Sequence, residues 1–138
     1  MPPETAYAVW RLRQAVFILE QACLYPDLDG RDTEAGTRHV VLTEDAPDAD
    51  SQEVLGYLRV LDDGPEWRIG RVVLAPAARG RGLSDRLMEH ALTLTAGRDV
   101  VLDAQTPLAG WYAKHGFVAD GPEFLEDDIP HTPMRLRR

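Results

Sequence analysis

Arg68-Ile69-Gly70-Arg71-Val72-Val73-Leu74-Ala75-Pro76-Ala77-Ala78-Arg79-Gly80-Arg81-Gly82-Leu83-Ser84 runs from a β-branched stretch through a short proline-bearing loop into a pair of glycines. Trp67 to Leu74 predicts a strand. Leu83, Leu87, Ala91 and Leu94 recur at helical spacing, and Met88 and Leu92 broaden that stripe. A helix is therefore expected from Gly82 to Ala96, with Gly97 as its terminator. Strand, glycine loop and helix in this order make a phosphate cradle. The start of a helix presents unpaired N–H groups and a partial positive charge. Gly80 and Gly82 let amides converge on an anion with no Cβ in the way, and Arg79 and Arg81 add charge. The plain alternative is a basic turn leading into a helix. No Gly-Lys-Ser/Thr ends the loop, which excludes a P-loop, and position 85 is Asp where a Gly-x-Gly-x-x-Gly motif needs its last glycine.

On the N-terminal side, Val9, Leu12, Val16, Leu19 and Ala22 predict an amphipathic helix started by Thr5. It ends before the turn-rich Tyr25-Pro26-Asp27-Leu28-Asp29-Gly30. His39 to Thr43 reads as a strand and the acidic Glu44 to Glu53 as a loop. Val54 to Leu61 pairs with Trp67 to Leu74 as a hairpin through Asp62-Asp63-Gly64-Pro65. On the C-terminal side, Val100 to Leu102 forms a strand core and Pro107 to His115 a helix, capped by Gly116 with Phe117 folding back. Thr132 to Leu136 is a final strand. The order of helix, three strands, helix, strand, helix and strand predicts one α/β domain over 1–138, with a central mixed twisted sheet flanked by helices.

The 138 residues carry 15 Lys+Arg against 23 Asp+Glu, a net charge of 15 − 23 = −8. That balance argues against a general nucleic-acid binder and suits attraction of cationic partners. A single cysteine, Cys23, allows no internal disulfide and no cysteine zinc site, and reads as a small core residue. His39, His90 and His115 are scattered without metal spacing, so no metal is expected. No apolar run reaches about 18 residues and no leader pattern opens the chain, so the expectation is a cytoplasmic protein that does not span a membrane.

Arg79-Gly80-Arg81-Gly82-Leu83-Ser84 resembles the pyrophosphate signature Arg/Gln-x-x-Gly-x-Gly/Ala of the GCN5-related N-acetyltransferase (GNAT) superfamily, departing only in Ser84. Ala15-Val16-Phe17, Glu20-Gln21, Asp27-Leu28-Asp29-Gly30, Arg38-His39, Ile69-Gly70-Arg71-Val72 and Ile129-Pro130-His131 look like its ElaA branch. The superfamily usually opens on a strand. Only Met1 to Thr5 precede the helix here, so that strand is expected to be short or missing, leaving an edge that could pair with a second copy as a homodimer.

The resemblance implies acetyl-coenzyme A as cosubstrate and an amine as acceptor, either a small molecule or a peptide. The amides of Arg79, Gly80, Arg81, Gly82, Leu83 and Ser84 would hold the pyrophosphate. Val72, Val73 and Leu74 would line the pantetheine arm, with a main-chain N–H polarising the thioester carbonyl, and Gln105 would contact the arm. Tyr112 sits where the family keeps its acid, and its plain alternative is an amphipathic core tyrosine. Candidate bases are Glu126, Asp127, Asp128 and His131, and the plain alternative for His131 is a loop histidine. The acid-rich segments Asp27 to Glu34 and Glu123 to Asp128 read either as solvated loops or as an acceptor side that draws a cationic amine. Two other classes stay open at this point: a non-catalytic acyl-CoA-binding module, and an oligomeric interaction protein in which the arginine loop is structural.

Overall fold

The computed structural model describes residues 1–22, 26–45 and 52–138. Cys23 and most of the expected acidic loop Glu44–Glu53 lie outside the described residues. Helix α1 spans Pro3–Arg13. Its N-cap is Pro2 rather than Thr5, because proline in a first turn sacrifices only an N–H that would have no helical partner. Beyond Arg13 the chain winds on as a π-helical segment over Gln14–Glu20. The wider turn rotates the apolar stripe. Val9, Val16 and Phe17 are buried, whereas Leu19 is 71% exposed and Ala22 is exposed past the end of the winding.

Seven strands form one mixed sheet: β1 (Arg38–Asp45), β2 (Gln52–Asp62), β3 (Glu66–Leu74), β4 (Asp99–Gln105), β5 (Val118–Ala119), β6 (Phe124–Glu126) and β7 (Ile129–Leu136). Their spatial order is β1-β2-β3-β4-β7-β5, with β6 also on β7, and among the described residues only β3 and β4 run parallel. No strand precedes α1, and among the described residues β1 is paired on one side only. Helices α2 (Leu83–Thr93) and α3 (Ala109–Lys114) cover one face, while α1 and the π-helical segment cover the other. Alternation along β2 serves both layers. Leu58 and Val60 join Leu87, Met88 and Ala91 of α2, while Tyr57 packs with Val9, Val16 and Phe17.

Several boundaries differ from expectation. The stretch expected to be one helix over Pro107–His115 opens as a 3₁₀ turn, Thr106–Leu108, before α3. β7 starts at Ile129 instead of Thr132, and β5 and β6 were not expected at all. Pro130 and Pro133 blur the strand pattern of β7, since proline supplies no ladder donor. The α3 cap does form: Gly116 takes φ 98°, the Phe117 N–H donates to the Tyr112 carbonyl at 3.3 Å, and Phe117 is 1% exposed. Burial on that scale contributes about 1.5–3 kcal/mol for such a ring.

Two departures from a regular sheet create the site. First, β3 and β4 pair only at Glu66–Asp99, Trp67–Val100 and Arg68–Val101, then diverge toward their C-terminal ends. Second, β2 and β3 are out of step. Tyr57 faces Val73 and Arg59 faces Gly70, so Arg71 and Val72 together oppose Leu58 in a bulge. Arg71 sits at φ 55°, a conformation costly for a side chain of that size.

Candidate active site

The glycine loop is built as an open cradle. A 3₁₀ turn over Pro76–Ala78 ends β3's run, the Ala78 N–H donating to the Ala75 carbonyl at 2.8 Å. Gly80 and Gly82 then take φ 78° and 71°. Gly82 is the N-cap of α2, no side chain caps that end, and a Cβ at either glycine would meet nothing within 4 Å. Leu83 anchors the turn against Leu55 and Ala78. The arginines of the loop are not bare charges. Arg79 grips the Glu20 carboxylate through two bonds of 2.7 and 2.9 Å, and Arg81 lies 3.7 Å from Glu44.

The fork between β3 and β4 holds a cavity of about 280 Å³. It gathers Val72, Gln105, Tyr112 and His131, together with Glu126 and Asp127. Val73, Leu74, Asp128 and the whole of Arg79–Ser84 lie outside its lining. Val73 instead packs on the α1 face, 4% exposed. The Tyr112 ring is 7% exposed, edge-on to Trp111 and Phe117. Burial pushes its hydroxyl up to about 12, which keeps it a proton-bearing donor at neutral pH. The Gln105 amide donates to Gln21 Oε1 at 3.1 Å, tying the end of β4 to the residue just past the π-helical segment.

His131 is a strand residue, not a loop histidine: it stands on β7 directly opposite Gln105 of β4. Its Nδ1 is 2.8 Å from the Ile129 carbonyl and its ring stacks on Phe124 at 5.6 Å. A carbonyl only accepts, so Nδ1 carries the hydrogen and the lone pair of the neutral ring falls on Nε2. Among the described residues, no cluster of three or more His, Cys, Asp or Glu is arranged to hold a metal ion.

The segment Asp27–Glu34 is exposed at Leu28, Asp29, Gly30, Thr33 and Glu34, yet its aspartates turn inward onto arginines. Asp27 is 9% exposed and fully buried Arg13 donates to its Oδ2 at 3.1 Å and to Asp32 at 2.7 Å. Arg59, 3% exposed, grips Asp29 at 2.6 and 2.9 Å, and Arg71 reaches Asp27 at 2.9 Å. The Arg59 guanidinium holds the Asp29 carboxyl well below the usual range, and the Arg13 and Arg59 guanidiniums, outweighing burial, lower that of Asp32. Arg71, Arg59 and Arg68 all line the cavity, and the sequence reading assigned them no role. Arg59 is the one cation of β2, and Arg68 and Arg71 interrupt the apolar run of β3, which is the signal the sequence offers.

The model of the acetyltransferase (GNAT) domain family matches residues 17–138. A UPF0039 protein of Mycobacterium tuberculosis is 48% identical over 132 residues, spanning 93% of this chain and 81% of the relative. Protein ElaA of Escherichia coli is 35% identical over 135 residues, spanning 93% and 84%. The crystal structure of that ElaA superposes with a TM-score of 0.87, covering 99% of this chain and 92% of the other. That of an acyl-CoA N-acyltransferase from Pseudomonas aeruginosa, 39% identical, superposes with a TM-score of 0.86 over the same shares. The fold is thus shared with an acyl-CoA N-acyltransferase and with ElaA, and the chain belongs to the GNAT acetyltransferase family as an acyl-transferring enzyme.

Proposed function

We propose that this chain moves an acetyl group from acetyl-CoA to an amine that attacks the thioester directly. The observation that carries this reading is the placement of Tyr112 in the fork one strand away from an uncapped helix start whose glycines leave space open. Such a cradle fits a diphosphate, because anions gain from free amides at a helix N-terminus. The amides of residues 80–84 would hold it, and Arg79 would contribute once Glu20 lets go. The β3–β4 ladder stops at Arg68–Val101 and leaves the β3 main chain beyond it without a β4 partner, so Val72–Leu74 can pair with amides of an extended arm. When bound, the cosubstrate supplies the activated acyl group. Tyr112 is placed to donate its proton to the departing sulfur.

Amine deprotonation falls to His131, through Nε2, or to Glu126 or Asp127 through a water. Among the described residues no cation is paired with Glu126 or Asp127, whereas Arg59, Arg68 and Arg71 in the same cavity are each paired with an aspartate. The uncompensated charge at the mouth is negative, which favours a cationic acceptor.

The test is thiol release from acetyl-CoA across a panel of cationic, neutral and anionic amines, with thermal shift by CoA as the binding readout. Turnover is expected to be highest with cationic amines. Gly82→Asp, which puts a carboxylate into the cradle, is expected to abolish the shift. A folded Gly82→Asp variant that binds CoA normally would overturn the placement of the donor.

A further inference from the structure

Asp85, the residue that breaks the dinucleotide motif, is the third residue of α2 and lies one step beyond the cradle. A free carboxylate there would repel a diphosphate. This one is turned away. The Trp111 indole N–H donates to its Oδ1 at 2.8 Å, and His115 Nε2 lies 3.0 Å from the same oxygen. Trp111 on α3 and His115 at its C-cap are four apart, one turn above the other, and they flank Tyr112 in sequence. The Trp111 ring lies edge-on to both, with centroids 4.8 Å from Tyr112 and 5.1 Å from His115. Helix α3 is only six residues long and has no side-chain N-cap. A helix that short holds no fixed orientation by itself. The donors of Trp111 and His115 keep the Asp85 carboxyl below its ordinary range, so it is ionised and both partners donate to it.

We propose that Asp85 is a positioning residue for acyl transfer: by gripping Trp111 and His115 it fixes α3, and with it the Tyr112 hydroxyl, to the same helix end that carries the diphosphate cradle. Donor site and proton donor then share one rigid reference, and a displacement of about 1 Å in either would be felt in the rate. This rests on the reading of Tyr112 as the acid, and goes beyond it in assigning what aims that acid.

The experiment measures kcat and KM for acetyl-CoA in D85A, D85N, W111F, Y112F and the double variant D85A/Y112F, each checked for native melting. D85A and W111F are expected to lose about tenfold in kcat with no rise in KM for acetyl-CoA. D85N keeps an oxygen acceptor and is expected to recover most of that loss. In the Y112F background D85A should cost nothing further, because the strut acts only through the missing hydroxyl. A slow Y112F with a normal D85A, or a D85A loss of equal size in both backgrounds, overturns the strut and leaves the acid assignment standing. A normal Y112F overturns the acid assignment and the strut with it.

Discussion

Two acidic stretches of similar composition have opposite fates. Asp27, Asp29 and Asp32 are drawn inward by Arg13, Arg59 and Arg71, and together they form a polar core under α1. Glu126 at the end of β6 and Asp127 in the β6–β7 turn, where Asp127 and Asp128 both take positive φ, stand exposed and line the cavity. The first stretch is architecture: it ties the loop after α1 to β2 and to the strained bulge at Arg71. The second is open to a ligand. What separates them is not the acids but the arginines, which lie 14 to 44 positions away.

That contrast makes its sharpest prediction in stability. Asp27→Ala leaves Arg13, Arg59 and Arg71 to share two aspartates, with Arg13 fully buried and, among the described carboxylates, held by Asp32 alone, and is expected to cost about 3–5 kcal/mol in denaturant unfolding. Asp127→Asn is expected to stay within about 0.5 kcal/mol. Equal losses would erase the distinction. In activity the order reverses. Glu126→Gln with Asp127→Asn is expected to lower kcat/KM for a cationic amine about tenfold at low salt, with the gap closing as salt screens it. Neutral amines should not respond. Acid titration gives the smallest effect. Asp29 and Asp32 have lowered native pKa values, so their stabilisation is complete above the ordinary value of 3.8 and fades as pH falls through the native ones. Tm should therefore drop between roughly pH 4 and roughly pH 2. Asp29→Asn should flatten that drop by a few degrees.

Local signals carried much of the architecture. The β3–glycine–α2 unit was legible because each part of it is written in neighbouring residues: alternation, positive-φ glycines, and a 3–4 apolar repeat from Leu83. The π-helical winding was not, since Val16 and Leu19 suit an ordinary helix equally well until tertiary packing selects Phe17. The cavity was legible residue by residue but not as an assembly. Gln105 meets His131 only through the β4–β7 register, and the prolines of β7 hid that strand. The arginine–aspartate core depends on contacts between distant segments, which no local pattern encodes.

The fork in the sheet has a mechanical consequence. The β1–β3 half and the β4–β7 half are stitched by backbone pairing at only three places, all at one end. From Ile69 to Leu74 the open side of β3 runs for roughly 20 Å at the usual rise per residue. An extended guest laid in that gap would complete the missing rung on both sides and convert a hinge into a continuous plate. The empty enzyme should accordingly exchange its β4 amides faster than its β2 amides, and occupancy of the gap should bring the two rates together.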